Sequence, residues 1–408
     1  MGTTSCSGDG PRRATTSSRL IAVLPHLRFG LQDATNLFVL SSLLAGGARI
    51  WIAFVILIAT IYGANKLLPD DLTEPENPPH ALHDFFARLA LPLILANALL
   101  LMHYFADGDP LGLVAGLKAL GVDFAAARAR SSAFDKTFAI ILMAIMFGIG
   151  QATAHELSHR LHSRFDLALS QWISALALDP ASCLHHPYSH HRLVGLPNDP
   201  GTARRGEDLY RFTVRSFIGS HAYAINAEAA RLKRQNRRWL SFENRFIRAW
   251  SIVFLYVGVA FFIGGIASAL AFVATLCLAH LMLEGITYVQ HYGLIRLEGE
   301  RINERISWDV HGAIAAAMNY NVGRHSDHHL HPLRHGADLK ITKGAPSLPY
   351  NYTSLVGIAL IPPLYRRFMQ PYLDHWDRHF ATPAERAYMR DHNIPHAEPE
   401  PVQTGLAA

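Results

Sequence analysis

The chain has 408 residues, half of them hydrophobic by count, and a formal charge of +5 from 37 basic and 32 acidic side chains. That length allows one large domain or two ordinary ones, and a mean hydropathy of +0.13 is high for a soluble protein with so many arginines. The three cysteines, Cys6, Cys183 and Cys277, lie far apart. They exclude a disulfide framework, a thiolate metal site and an iron–sulfur or rubredoxin-type centre within this chain, which would need four thiolates.

Residues 1–18 carry Gly, Ser, Thr and two Arg and read as a disordered tail without the order of a cleavable signal peptide. The apolar residues then come in blocks. Leu20 to Gly47 is a weak candidate for a membrane span, broken by Arg28, Gln32 and Asp33. Ile50 to Ala64, Leu89 to Leu101 and Phe138 to Gly150 are clear, and Leu111 to Ala127 is weaker still. A helix needs roughly 20 residues to cross a bilayer. The block from Trp250 to Leu283 is therefore long enough for two crossings, with a turn near Phe262-Ile263-Gly264-Gly265. The expected fold is all-α, a polytopic membrane protein with about six transmembrane helices. Trp51, Ile52 and Phe54 are expected to face lipid rather than line a channel. Arg204 to Arg248, with RLKRQNRR at 231–238, is strongly basic and is expected on the cytoplasmic side. The tail at 381–408 is polar and contains proline, and is expected to be loosely ordered. One membrane domain, 19–380, remains between the two tails.

Four clusters of histidine punctuate these blocks. HELSH at 155–159 and TYVQHYG at 287–293 follow apolar blocks directly. HHPYSHH occupies 185–191, and RHSDHH occupies 324–329. His155 and His159 are four apart, so a helix places both on one face. His186, His190 and His191 give H-x3-HH, His325, His328 and His329 give H-x2-HH, and His291 stands alone. Crowded imidazoles lower each other's basicity and add little packing, so metal binding explains them best. Nine histidines exceed one ion and suit two, each with four or five ligands. Imidazole suits zinc, copper, iron and nickel. Nine in two sets point to a dinuclear redox site, most simply two iron ions. HELSH alone matches the zinc-protease motif with Glu156 as general base, but that reading leaves the other clusters unexplained. A metal transporter would carry its ligands near the bilayer midplane, whereas these lie beyond the block ends.

These boxes, with the downstream PSLPYNYTSLVGIALIPPLYRRFM, resemble the integral-membrane alkane 1-monooxygenases of the membrane desaturase/hydroxylase superfamily. The resemblance runs from about residue 50 to 375 and includes NDPGTARRGEDLYRF and RLKRQNRRWLSFEN. Family patterns HELxHK, EHxxGHH, NYxEHYGL and LQRHSDHH read here as HELSHR, HHPYSHH, TYVQHYGL and VGRHSDHH. The HYGL box is absent from acyl-lipid desaturases, the related alternative. The resemblance implies two irons held by His155, His159, His186, His190, His191, His291, His325, His328 and His329. It implies dioxygen as oxidant and electrons from rubredoxin or a similar carrier, reduced by an NADH-dependent flavoprotein. The expected reaction hydroxylates a terminal or benzylic C–H bond of a hydrophobic substrate such as an n-alkane. The expected setting is the bacterial inner membrane, with the active site toward the cytoplasm and no nucleic-acid partner.

Three positions depart from the family pattern: His185 and Gln290 stand where it has Glu, and Thr287 where it has Asn. His185 therefore competes with His186 as a ligand. Asp327, Glu156 and Asp199 are the acids nearest the boxes and are expected to orient imidazoles or relay protons, Asp327 most of all because it lies between ligands. Asp199 in Pro-Asn-Asp-Pro also suits a turn. The basic residues Arg204, Arg205, Lys233, Arg234, Arg237 and Arg238 fit either docking of an acidic electron carrier or contact with anionic lipid.

Overall fold

The computed structural model describes residues 24–398, and no β-strand occurs among them beyond two isolated bridges. The expected tail at 1–18 and the end of the C-terminal tail lie outside the described residues. The principal helices are α1 (Leu31–Ala45), α2 (Arg49–Leu67), α3 (His80–His103), α4 (Ala133–Ser158), α5 (Arg164–Ala175), α6 (Leu209–Arg234) and α7 (Arg245–His291). After them come α8 (His325–Leu330), α9 (Tyr352–Ala359), α10 (Pro362–His379) and α11 (Pro383–Asp391).

Three of these, α3, α4 and α7, are long and apolar enough to cross a membrane, and α2 contains a shorter apolar stretch, Arg49–Gly63. The 47 residues of α7 are two helices joined at Gly264 and Gly265. Gly265 has φ +60°, a conformation that costs glycine nothing. The Gly264 backbone sits so close to Ala106 that a Cβ there would lie 3.0 Å from its Cα. The halves fold back on each other: the rings of Tyr256 and Phe272 are 6.3 Å apart. A straight helix would separate them by roughly 24 Å. The turn thus falls where the glycine pair places it.

Among the described residues, the two weaker blocks form no helix long and apolar enough to cross a membrane. The first becomes a 3-10 segment, Leu24–Gly30, followed by the 15-residue α1. Its polar residues face inward: Thr153 Oγ1 donates to Gln32 Oε1 at 2.8 Å, and Asn97 Nδ2 donates to the Asn36 carbonyl at 3.0 Å. The second breaks into Leu113–Ala119 and Phe124–Ala129 around Gly121, whose φ is +83°. Ile52 is exposed, and Phe54 packs on Phe138 with ring centroids 5.0 Å apart.

Helix α4 starts from a capping box of Ser132 and Asp135 and runs buried through the centre. Its Leu142, Met143, Met146 and Phe147 are fully buried among α3, α5 and α7. Polar side chains therefore ride into the protein on an apolar rod, and its last turn delivers His155. The segment after Pro383, expected to be loose, instead forms α11, capped by Thr382 and Glu385. Glu385 is buried and pairs with Arg305 at 3.0 Å.

Arg205 is not part of an exposed basic face. Its guanidinium makes a buried two-pronged pair with Asp377 at 2.8 and 2.6 Å, while its Nε donates to the Gly293 carbonyl at 2.8 Å. This ties the HYG turn to α10. Removing one partner leaves the other charge buried and alone. Asp377→Ala is therefore expected to destabilise the protein by about 3–5 kcal/mol, read as a lower melting temperature in detergent; a variant that melts like the parent would contradict it.

Candidate metal centre

All nine histidines of the four boxes converge, although they come from helices far apart in sequence. They form two groups, within each of which the ligand nitrogens lie within 4.8 Å of one another. His155, His159, His186, His191 and His328 make one group, and His190, His291, His325 and His329 make the other. The groups adjoin, with the rings of His191 and His329 4.5 Å apart.

Local backbone geometry decides which imidazole joins which group. His155 and His159 are four apart at the end of α4 and share a group, as do His325 and His329 on α8. The second box behaves differently. His186–His190 is a π-turn, inserted between Ser182–His185 and His191–Leu193. A π-turn closes i to i+5, so His186 and His191 come together, their Nε2 atoms 3.1 Å apart. His190, four residues from His186, is turned into the other group.

The nitrogens meet in a way that neutral imidazoles do not sustain among themselves. Nε2 of His328 is 3.1 Å from that of His191, and Nε2 of His325 is 3.2 and 3.1 Å from those of His291 and His329. The Nδ1 atoms of His291 and His190 lie against acceptors, the Ile306 carbonyl at 3.0 Å and the Asp199 carboxylate at 2.9 Å. Those Nδ1 atoms carry the protons, so both Nε2 atoms present lone pairs. Burial, and then neighbouring imidazoles, hold His159, His186, His191, His325, His328 and His329 well below the ordinary histidine pKa. Buried lone pairs pointing at one another are unfavourable unless a cation lies between them. The donor set thus fits metal ions.

His185 is turned away from the centre, its Nε2 2.9 Å from an Asp179 carboxylate oxygen. The geometry therefore places His186, not His185, among the nine. Gln290 lies beside His325, its amide nitrogen 3.5 Å from Nδ1. Turning the amide over would present its oxygen there instead.

Of the three acids singled out in the sequence, one touches an imidazole of the nine. Asp199 accepts from His190 Nδ1 and from Thr202 Oγ1 at 2.7 Å. Burial opposes its charge, but His190 and these hydrogen bonds outweigh it and hold the carboxyl below its usual range. Asp327 is buried but turned away from the nine imidazoles, contrary to expectation. It accepts from Arg334 at 2.5 Å, from Lys340 N at 2.9 Å, and lies 3.0 Å from His331. Glu156 likewise pairs with Arg160 at 3.0 Å and accepts from Gly336 N at 3.2 Å. It is not placed to act as a protease base.

Two further residues, neither singled out from the sequence, shape the centre. Asp309 accepts from the backbone and hydroxyl of Ser326, both at 2.8 Å, and so fixes the start of α8. Arg324 is buried and donates to the carbonyls of Leu339 and Thr73 at 2.6 and 2.7 Å, anchoring the same turn. Asp309 has no spacing relation to the boxes that would reveal it, and Arg324, although it opens RHSDHH, shows there no sign of its anchoring role.

Gly201 marks a close approach, since a Cβ there would lie 2.6 Å from His190 Nδ1. Gly201→Ala is expected to push the ring off Asp199 and to lower metal retention roughly tenfold or more, measured by chelator competition; unchanged retention would contradict that contact.

Fold and site together define a helical membrane metalloprotein with an all-histidine centre. The sequence profile of the fatty acid desaturase family matches residues 136–356. The alkane 1-monooxygenase of Acinetobacter baylyi is 30% identical over 360 residues, covering 86% of this chain and 80% of the relative. An alkane 1-monooxygenase of Pseudomonas putida is 28% identical over 337 residues, covering 80% and 79%. The xylene/toluene monooxygenase hydroxylase component of Pseudomonas putida is 30% identical over 234 residues, covering 57% and 63%. The chain belongs to the fatty acid desaturase family, among its membrane monooxygenases, and is an oxidoreductase.

Proposed function

We propose that the chain is a non-haem di-iron monooxygenase that converts a terminal or benzylic C–H bond of a hydrophobic substrate to an alcohol. The carrying observation is the division of nine buried histidines into groups of five and four. Its relatives are named for alkanes and for xylene and toluene, which supports an n-alkane or alkylbenzene substrate. The overall change is RH + O2 + 2 e⁻ + 2 H⁺ → ROH + H2O.

When bound, the two irons supply reductive activation of dioxygen and the oxidising power for the C–H bond. The chain's residues do the rest. The five-histidine and four-histidine groups hold one ion each, and Asp199 and the Ile306 carbonyl keep His190 and His291 aimed inward. His155 and His186, the least buried of the nine, line an internal cavity together with His190, Gln151, Leu283 and Thr287. That cavity is where the substrate meets the centre. The apolar bulk of α4 and α7 keeps bulk water away from it. No thiolate cluster exists in the chain, so electrons come from a separate rubredoxin-type carrier with a flavoprotein reductase. Exposed Arg204, Lys233, Arg234, Arg237 and Arg238 offer such an acidic carrier a basic docking face on the cytoplasmic side.

Gln290→Glu tests the orientation of His325. A carboxylate beside Nδ1 makes an imidazole a stronger donor and favours the ferric state. The variant is expected to have a more negative reduction potential in a spectroscopic titration; an unshifted or more positive potential would contradict it. The function itself is tested by oxygen uptake in membranes supplied with NADH, reductase and rubredoxin. Uptake that depends on octane or an alkylbenzene and yields the primary or benzylic alcohol is expected. Uptake indifferent to any hydrocarbon would overturn the assignment.

A further inference from the structure

The cavity beside His155 and His186 is an odd container for a plain hydrocarbon. Its lining is mostly apolar, with Leu283, Ile286 and Val322, yet it also carries Asp179, Glu284 and the serines Ser174, Ser182, Ser216 and Ser220. Ser174 and Ser182 bond each other at 3.2 Å and Asp179 bonds His185, but a hydrocarbon offers nothing to Glu284, and drying an unpartnered polar atom is costly.

One acceptor in this lining is left without a donor. Glu284 is 7% exposed, and its Oε2 has no hydrogen-bond partner in the protein. Behind it, His280 Nδ1 lies 2.8 Å from the Ala177 carbonyl, and His221 Nδ1 lies 2.9 Å from the Phe217 carbonyl. A carbonyl only accepts, so both Nδ1 atoms carry the proton and both Nε2 atoms are left as acceptors. Neither Nε2 finds a donor, and His280 Nε2 stands 3.8 Å from Glu284 Oε1, beyond hydrogen-bond range. Asp179 is already engaged with His185 at 2.9 Å. Glu284 Oε2 is thus a buried acceptor without a donor in the lining of the same cavity that His155, His186 and His190 of the metal centre line. Glu284 precedes His291 by seven residues on α7, roughly 10 Å along the axis.

We propose that this cavity selects a hydrophobic substrate carrying a hydrogen-bond donor, in its simplest form a medium-chain aliphatic alcohol. The hydroxyl donates to Glu284, with Ser216 and Ser220 beside it, and the far end of the chain reaches the histidines. This rests on the monooxygenase reading and narrows its substrate class. The predicted reaction is ω-hydroxylation of an alcohol: HO–R–CH3 + O2 + 2 e⁻ + 2 H⁺ → HO–R–CH2OH + H2O.

The test sets n-nonane against 1-octanol, which have equal numbers of heavy atoms, in competition at equal mole fraction in vesicles holding the iron-loaded protein, rubredoxin, reductase and NADH. Octanediol is expected to exceed nonanol about threefold to tenfold, the worth of one hydrogen bond to a buried neutral acceptor. Glu284→Leu and, independently, Ser220→Val are expected to bring the ratio toward unity, with iron content measured in each preparation. Nonanol equal to or above octanediol in the parent protein would overturn the proposal and mean that ordered water satisfies the wall. Octanal as the main octanol product would also overturn it, because the hydroxyl would then lie at the histidines. So would a preference unchanged in both iron-loaded variants. Absence of product from either compound would instead bring down the monooxygenase reading itself, and this proposal with it.

Discussion

His328→Ala is expected to abolish hydroxylation and to strip iron from the protein together. His328 meets three other imidazoles of the five-histidine group. Its Nε2 is 3.1 Å from that of His191, and its ring is 4.5 Å from His155 and 4.7 Å from His159. It shares α8 with His325 and His329 of the other group, so its loss opens one group and loosens the seam between them. Site-bound iron is expected to fall at least about a hundredfold in affinity, the loss of a ligand exceeding the tenfold to hundredfold seen for an orienting partner. His162→Ala is the control. His162 belongs to neither group and lines an outer cleft with Ser163 and Asp166. It should retain iron and activity; equal iron loss in the two variants would refute the ligand assignment.

The second large effect is expected at Asp199. Its carboxylate is the acid that reaches an imidazole of the centre, and it is in turn held by Thr202 Oγ1 and by Gly201 N at 3.2 Å. Asp199→Ala frees the His190 ring to rotate and removes the acceptor that fixes the proton on its Nδ1. Metal affinity should drop roughly tenfold to a hundredfold, with activity falling in parallel, as read by chelator titration. Asp327→Ala should behave differently. That carboxylate anchors Arg334, His331 and the backbone of Lys340, so its loss should lower the melting temperature more than the iron affinity. A larger loss of iron affinity at Asp327 than at Asp199 would contradict these assignments.

The nine histidines are legible in the sequence because so many imidazoles at short helical spacings have no packing explanation. Their division is not. His186 and His190 are four apart and read as one helix face, yet the π-turn sends them to different groups, and nothing in HHPYSHH announces that turn. The acids mislead for a related reason. Asp327 lies two residues from both His325 and His329, and positions two apart on a helix do not face each other. Closeness in sequence therefore counts against it as an orienting group. Asp199 reads as a turn residue, and only the folded loop brings it to His190.

The spans show the same limits. The glycine pair and the unbroken apolar run identify the α7 hairpin, whereas Leu20 to Gly47 is apolar yet, among its described residues, forms no helix long and apolar enough to cross a membrane. Its Gln32 and Asn36 belong to buried polar contacts with α4 and α3 that composition cannot reveal. Arg205 reads as one of a basic run, and only its buried pairing with Asp377 separates it from exposed Arg204.

The most direct measurement is the metal content of the detergent-purified protein by elemental analysis. Two irons per chain, one for each histidine group, is the predicted result. One tightly held zinc and no iron would contradict the di-iron account and leave seven of the nine converging histidines without a role beyond those of HELSH.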